Sequence, residues 1–75
     1  MLIAAILRAK GTEVVSVAPE TTVADLLTAL TRHGIGAVAV ARDEALIGIV
    51  SERDVVRGLE RYGADLLAAP VADIM

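Results

Sequence analysis

The sequence contains no cysteine and a single histidine, His33, and these two scarcities exclude several kinds of site. Without cysteine the chain forms no disulfide and performs no thiol catalysis. One histidine without cysteine partners does not supply the ligands of a structural zinc site, so no metal is predicted. The remaining polar residues assemble no set of nucleophile, base and orienting group, and the sequence therefore predicts a protein that is not an enzyme. The expected location is a reducing compartment, the cytoplasm.

The chain also lacks a long hydrophobic run and a cluster of basic residues. No run approaches the ~18 apolar residues that a membrane span needs, so no membrane association is predicted. The apolar opening, residues 1–7, has no basic segment before it, and Arg8 and Lys10 follow it instead, which is not the order of a signal peptide. The formal net charge is −3 and the basic residues are scattered, which argues against nucleic acid as a partner.

Apolar residues are present in excess for so short a chain. They make up 56% of its 75 residues before glycine is counted, against roughly 45–50% with glycine included in ordinary soluble domains. A chain of this length buries only ~60% of its unfolded surface, so its own core cannot cover that much apolar surface. The composition therefore predicts a second chain as the cover, in a homodimer formed through an exposed sheet face.

Hydrophobic periodicity, together with the glycines, capping residues and polar breaks between the apolar segments, predicts the order of the helices and strands. A helix over residues 1–9 ends before Gly11, and a strand follows over residues 13–17. A helix then begins after Thr22, which forms a capping box with Asp25, and ends at His33 before a left-handed Gly34. Two antiparallel strands, 35–41 and 45–50, flank the polar break 42–44. The last helix runs from Ser51 to near Gly63, and its apolar positions are Val55, Val56, Leu59 and Tyr62.

These elements predict an α/β fold. A β-α-β-β-α unit follows the N-terminal helix along the chain, and helices cover a small sheet on one side only. Residues 1–69 form this unit. Residues 70–75 repeat the apolar pattern of residues 2–7, so they are interpreted as the start of a second repeat or as a C-terminal tail.

The most informative pattern is Ser51-x-x-Asp54, which follows an apolar strand and opens a helix. Helix N-termini present free N–H groups and a positive dipole end, so this junction favours a nucleotide phosphate. The same spacing is also that of a capping box, which stabilises a helix without any ligand. The residues alone leave both interpretations open.

Three stretches resemble a known family. Residues 22–27, 35–40 and 48–57 are together similar to a cystathionine beta-synthase (CBS) domain, and the likeness spans nearly the whole chain. The resemblance implies a unit that pairs, sheet against sheet, with a second such unit to form a Bateman module. It also implies a regulatory module that binds an adenosine compound, such as AMP, ADP, ATP, NAD or S-adenosylmethionine, in the cleft between paired units. The alternative is a ligand-free module for dimerisation or protein interaction.

The resemblance also assigns roles to residues of this chain. Asp54 would accept hydrogen bonds from the ribose hydroxyls, while Ser51 and nearby helix N–H groups would face phosphate oxygens. Arg53, or else Lys10 or Arg57, would neutralise phosphate charge. The adenine would lie against two short segments, and the residues expected there are Val14, Val15, Ile35, Gly36 and Ala37.

Overall fold

A computed structural model describes residues 15–75, and it confirms the α/β fold. The predicted helix over residues 1–9 and the start of the first strand lie outside the described residues. The elements in chain order are β1 (Ser16–Val17), α1 (Val23–His33), β2 (Ala37–Arg42), β3 (Ala45–Ser51), α2 (Glu52–Tyr62) and two 3₁₀ segments (Gly63–Ala68 and Val71–Asp73).

Both ends of α1 form as the sequence predicts. The Thr22 hydroxyl accepts a hydrogen bond from the Asp25 backbone N–H at 3.1 Å, which satisfies one of the free donors of the first turn. Within residues 15–75 the Asp25 carboxylate does not return the bond, so only half of the predicted capping box is present. At the other end Gly34 is left-handed, with φ 63° and ψ 38°, and its N–H bonds the carbonyls of the last turn.

The three described strands form one sheet in the order β1-β2-β3. β1 runs parallel to β2, and β2 runs antiparallel to β3, as the sequence predicts for the hairpin. The turn is tighter than the predicted break of three residues, because Arg42 belongs to β2 and only Asp43 and Glu44 lie between the strands. Both turn residues have positive φ, which a two-residue turn of type I′ requires.

The hydrophobic core lies between the helices and one face of the sheet. Val38 and Val50 are direct cross-strand partners on this face, and both are buried. The other core residues come from both helices, the strands and the C-terminal segment: Val23, Leu26, Leu30, Val40, Val55, Leu66 and Val71. The opposite face carries Ser16, Ala37, Ala39 and Ile49, a set we call the open sheet face. Ala39 in its middle is buried, at 3% exposure, whereas Ile49 keeps 37% of its surface exposed.

The buried face of α2 differs from the predicted one. Val55 is buried as expected, but Val56 is 65% exposed, Leu59 38% and Tyr62 53%. Gly58 is buried instead, because Leu66 packs against it so closely that a Cβ on Gly58 would lie 2.8 Å from the Leu66 Cδ2. The 3₁₀ segment that carries Leu66 thus determines which side of α2 faces the core.

Residues 70–75 fold back onto the rest of the unit. Pro70 forms an isolated antiparallel bridge with Thr22, and the Val71 N–H donates to the Thr21 carbonyl at 2.8 Å. The Val71 side chain is fully buried in the core. The Met75 sulfur lies 3.6 Å from the position that a Cβ on Gly48 would take. The segment therefore contributes to the core of the unit that precedes it.

Candidate functional site

Ser51 and Asp54 form a complete capping box at the start of α2. The Asp54 N–H donates to the Ser51 Oγ at 3.3 Å, and the Ser51 N–H donates to the Asp54 Oδ2 at 2.8 Å. The Ser51 hydroxyl also donates to Oδ2, at 3.0 Å. Within residues 15–75 every hydrogen bond to the Asp54 carboxylate therefore ends on Oδ2, and Oδ1 accepts none. Two hydrogen bonds from Ser51 thus orient the carboxylate through one of its oxygens.

The start of β2 lies directly beside this junction. Ala37 pairs with Ser51 across the hairpin, and the Glu52 N–H donates to the Gly36 carbonyl at 2.9 Å. Ile35, Gly36 and Ala37 are all exposed. The structure thus brings the predicted segment 35–37 next to Ser51 and leaves its surface accessible.

The Glu52 side chain was not among the predicted site residues, yet it lies over Gly36. Its Oε1 is 3.3 Å from the position that a Cβ on Gly36 would take, and its Cδ is 3.6 Å from the same point. Any side chain at residue 36 would crowd this carboxylate. The sequence could have indicated this contact, because Glu52 is the first residue of α2 and directly follows Ser51, which pairs with Ala37 at the start of β2.

The N–H groups at the start of α2 are largely occupied. Those of Ser51, Glu52 and Asp54 donate to the Asp54 carboxylate, the Gly36 carbonyl and the Ser51 hydroxyl respectively. Two acidic side chains, Glu52 and Asp54, also lie in the first turn. Both features reduce the attraction that a free helix N-terminus would offer to a phosphate.

Asp54 also lines an open cavity of about 410 Å³ between α2 and the C-terminal segment. Arg57 and Arg61 line it from α2, and Asp73 and Ile74 line it from the C-terminal segment. The candidate basic residue Arg57 therefore shares a cavity with Asp54. Arg53 is exposed in the first turn, and its guanidinium makes no ion pair within the described residues.

Of the remaining predicted contacts, the structure describes only Val15. Val15 is half-buried and packs against the core, and its carbonyl accepts a hydrogen bond from the Ala39 N–H at 3.2 Å. It therefore presents backbone rather than side chain towards β2. Val14 and Lys10 lie outside the described residues.

Two further properties concern the described part of the chain only. In residues 15–75 neither α-helix has the length and apolar character needed to cross a bilayer. The same residues bring together no group of three acidic or histidine side chains that could hold a metal ion.

The family is decided by a match to the CBS domain model over residues 8–61, which is more than half of the chain. The chain belongs to the CBS domain family. CBS domain proteins are regulatory modules. A solved CBS-domain containing protein from Agrobacterium tumefaciens superimposes with a TM-score of 0.84 and 34% identity, over 97% of this chain and 59% of the other.

Two more CBS-family comparisons bear on the site and on the length of the chain. A CBS domain protein from Pyrobaculum aerophilum, solved in complex with AMP, matches with a TM-score of 0.68 and 28% identity, over 80% of this chain and 47% of the other. An uncharacterized protein from Chlamydia trachomatis is 45% identical over 65 residues, which cover 85% of this chain and 20% of that protein. The chain thus spans about a fifth of this curated relative and about half of the two solved proteins from Agrobacterium tumefaciens and Pyrobaculum aerophilum.

Proposed function

We propose that this CBS unit is a regulatory module that binds an adenosine compound of the AMP, ATP, NAD or S-adenosylmethionine type in the cleft between two paired units. The observation that carries the proposal is the Asp54 carboxylate, which the capping box holds through Oδ2, while Oδ1 accepts no hydrogen bond within residues 15–75. A ribose offers two neighbouring hydroxyl donors, and a carboxylate oxygen is a strong acceptor for them.

The surroundings of Asp54 support this role. The exposed segment 35–37 lies beside Ser51, and Gly36 itself carries no side chain. The exposed Glu52 carboxylate that lies over Gly36 would turn aside for a flat ring to reach the backbone. A related CBS protein has been solved in complex with AMP. In the proposal, Asp54 binds the ribose, Ser51 and Arg53 face the 5′ substituent, and Ile35, Gly36 and Ala37 contact the adenine together with the strand at Val14 and Val15.

The proposal includes pairing through the open sheet face. Ile49 is exposed on that face, and Ile47 is exposed at the β-bulge next to it, where β3 has one residue more than β2. Pairing two such faces buries apolar surface that each unit leaves in water, and this burial is favourable. A homodimer of this chain would supply the second half of the cleft.

A second candidate is a ligand-free pairing module. Its support is that the capping box alone accounts for the geometry of Ser51 and Asp54, since each makes its hydrogen bonds to the other. In that case the open sheet face drives association and no small molecule is involved.

Thermal unfolding with and without ligand distinguishes the two candidates. A ligand that binds only the folded state adds about 2.7 kcal/mol at a hundred times its Kd, which is several degrees in the midpoint of a small domain. We expect at least one of AMP, ATP, NAD and S-adenosylmethionine to raise the midpoint of the wild-type chain. We expect Asp54→Ala to remove that rise.

Asp25→Ala is the matched control. Asp25 occupies the same third position of α1 that Asp54 occupies in α2, so the change in charge and in helix position is equivalent. This variant should respond to the ligand as the wild type does. An unaltered response of Asp54→Ala would refute the site, and no response of the wild type to any of the four compounds would favour the ligand-free module.

A further inference from the structure

The charges around Asp54 constrain which adenosine compound the site accepts. The Glu52 carboxylate lies over Gly36, beside the segment expected to contact the adenine. Asp54 itself is the second acidic residue of the first turn, and Arg53 is the basic residue between them. A phosphate brought to this turn would face two carboxylates of the same helical turn.

The backbone adds little to offset this repulsion. Helix N-termini bind phosphate through several free N–H groups, but those of Ser51, Glu52 and Asp54 already have acceptors inside the protein. A 5′-phosphate is joined to the ribose by a single carbon, so a ribose held by Asp54 brings that phosphate close to the first turn of α2. The turn is therefore better suited to an uncharged or cationic 5′ substituent.

We propose that Glu52 is a specificity-determining residue that favours adenosine compounds without a 5′-phosphate over their phosphorylated forms, an inference that rests on the proposed function. The ligand class is an adenosine carrying a neutral or cationic 5′ substituent. Glu52 acts by charge and by its position over Gly36. It is exposed, so substitution does not disturb the core.

Adenosine and AMP are the matched probes, because they differ only in the phosphate. Titration calorimetry on the 75-residue chain at low ionic strength should show adenosine binding at least as tightly as AMP. In Glu52→Gln, AMP affinity should rise on the order of fivefold, as expected for removing one charge ~8 Å from a phosphate, while adenosine affinity changes less than twofold. The gain should shrink at physiological salt, where the Debye length is ≈ 8 Å.

Glu44→Gln is the control variant, since it makes the same change in charge at the opposite end of the hairpin, where Arg42 pairs with Ala45. It should leave both affinities unchanged. The inference is overturned if wild type prefers AMP tenfold or more, if Glu52→Gln leaves the ratio of the two affinities unchanged, or if Glu44→Gln shifts that ratio equally. If wild type binds either probe but Glu52→Gln leaves the ratio of the AMP and adenosine affinities unchanged, the proposed function stands and only the role of Glu52 is overturned. If wild type binds neither probe, the proposed function and the role of Glu52 are both overturned.

Discussion

At the scale of single residues, the capping and ligand roles of Asp54 are compatible. Both cap bonds from Ser51 end on Oδ2, so in the proposal a ribose hydroxyl bonds Oδ1, which accepts no hydrogen bond within residues 15–75, and the helix cap stays intact. A carboxylate held in place by its own helix has less freedom to lose when a ligand binds. Helix capping would then orient the Asp54 carboxylate for its ligand. The sequence pattern alone could not show this double role, because it does not distinguish the two carboxylate oxygens.

The hairpin turn provides a residue-scale prediction about stability. Glu44 has a φ of 66°, a region that costs an L-residue roughly 1–2 kcal/mol, whereas glycine enters it freely. Glycine also gains entropy in the unfolded chain, which offsets part of the benefit. We expect Glu44→Gly to raise the free energy of unfolding by about 0.5–1 kcal/mol in urea titrations.

Glu44→Ala separates backbone strain from charge. Asp43 and Glu44 are adjacent carboxylates, and their repulsion is relieved by either substitution, but alanine retains the Cβ that makes positive φ unfavourable. Alanine should therefore stabilise the chain by less than half as much as glycine. Equal stabilisation by the two substitutions would assign the effect to charge and contradict the argument from the backbone.

At the scale of elements, local signals were predictable and long-range packing was not. The caps of α1, Thr22 and Gly34, follow from hydrogen bonds within a few residues, so the sequence is sufficient to predict them. The buried side of α2 depends on Leu66, which packs against Gly58 from the following segment. Periodicity ranks Val56 as apolar and Gly58 as neutral, and it contains no information about that contact.

The C-terminal segment leads to a second prediction. The sequence predicts the start of a second repeat or a C-terminal tail for this segment. Within the segment, Val71 is fully buried and its N–H donates to the Thr21 carbonyl. We expect residues 70–75 to be required for the stability of this unit. Val71→Ala should lower the free energy of unfolding by about 2 kcal/mol, because it removes buried methyl groups and leaves a cavity.

Asp73→Ala is the control for that variant. Asp73 lies in the same 3₁₀ segment but is exposed, and its carboxylate makes no hydrogen bond within the described residues. We expect its unfolding free energy to stay within about 0.5 kcal/mol of wild type. If Val71→Ala were equally mild, the segment would be a dispensable tail rather than part of the core.

At the scale of the whole molecule, the open sheet face connects composition with family. The apolar excess of the sequence indicates an additional cover, and the structure leaves Ile49 exposed on the face opposite the helices. The chain covers 59% and 47% of two solved CBS proteins, so those proteins contain further chain beyond the matched unit. A cleft between paired units therefore requires a partner for this unit, either a second copy or another unit of a longer chain.

Sedimentation of two variants, one changed on the open sheet face and one on α2, tests whether the partner of this unit is a second copy of the chain. We expect the wild-type chain to be a dimer at micromolar concentration and Ile49→Lys to be a folded monomer, because pairing would bury a lysine ammonium without a partner. Val56→Lys places the same charge on the exposed side of α2, where residue 56 is 65% exposed, and should leave the dimer intact. Circular dichroism and urea unfolding would establish that both variants keep the fold.

The pair of variants also locates the interface if the open sheet face is not involved. Dissociation by Val56→Lys alone would place association on the exposed side of α2, where Leu59 and Tyr62 also carry apolar surface. A wild-type monomer would mean that the open face is covered by another unit of a longer protein. Only dissociation by Ile49→Lys with an intact Val56→Lys dimer supports sheet-to-sheet pairing, and in that dimer each chain would complete the cleft beside the other's Asp54.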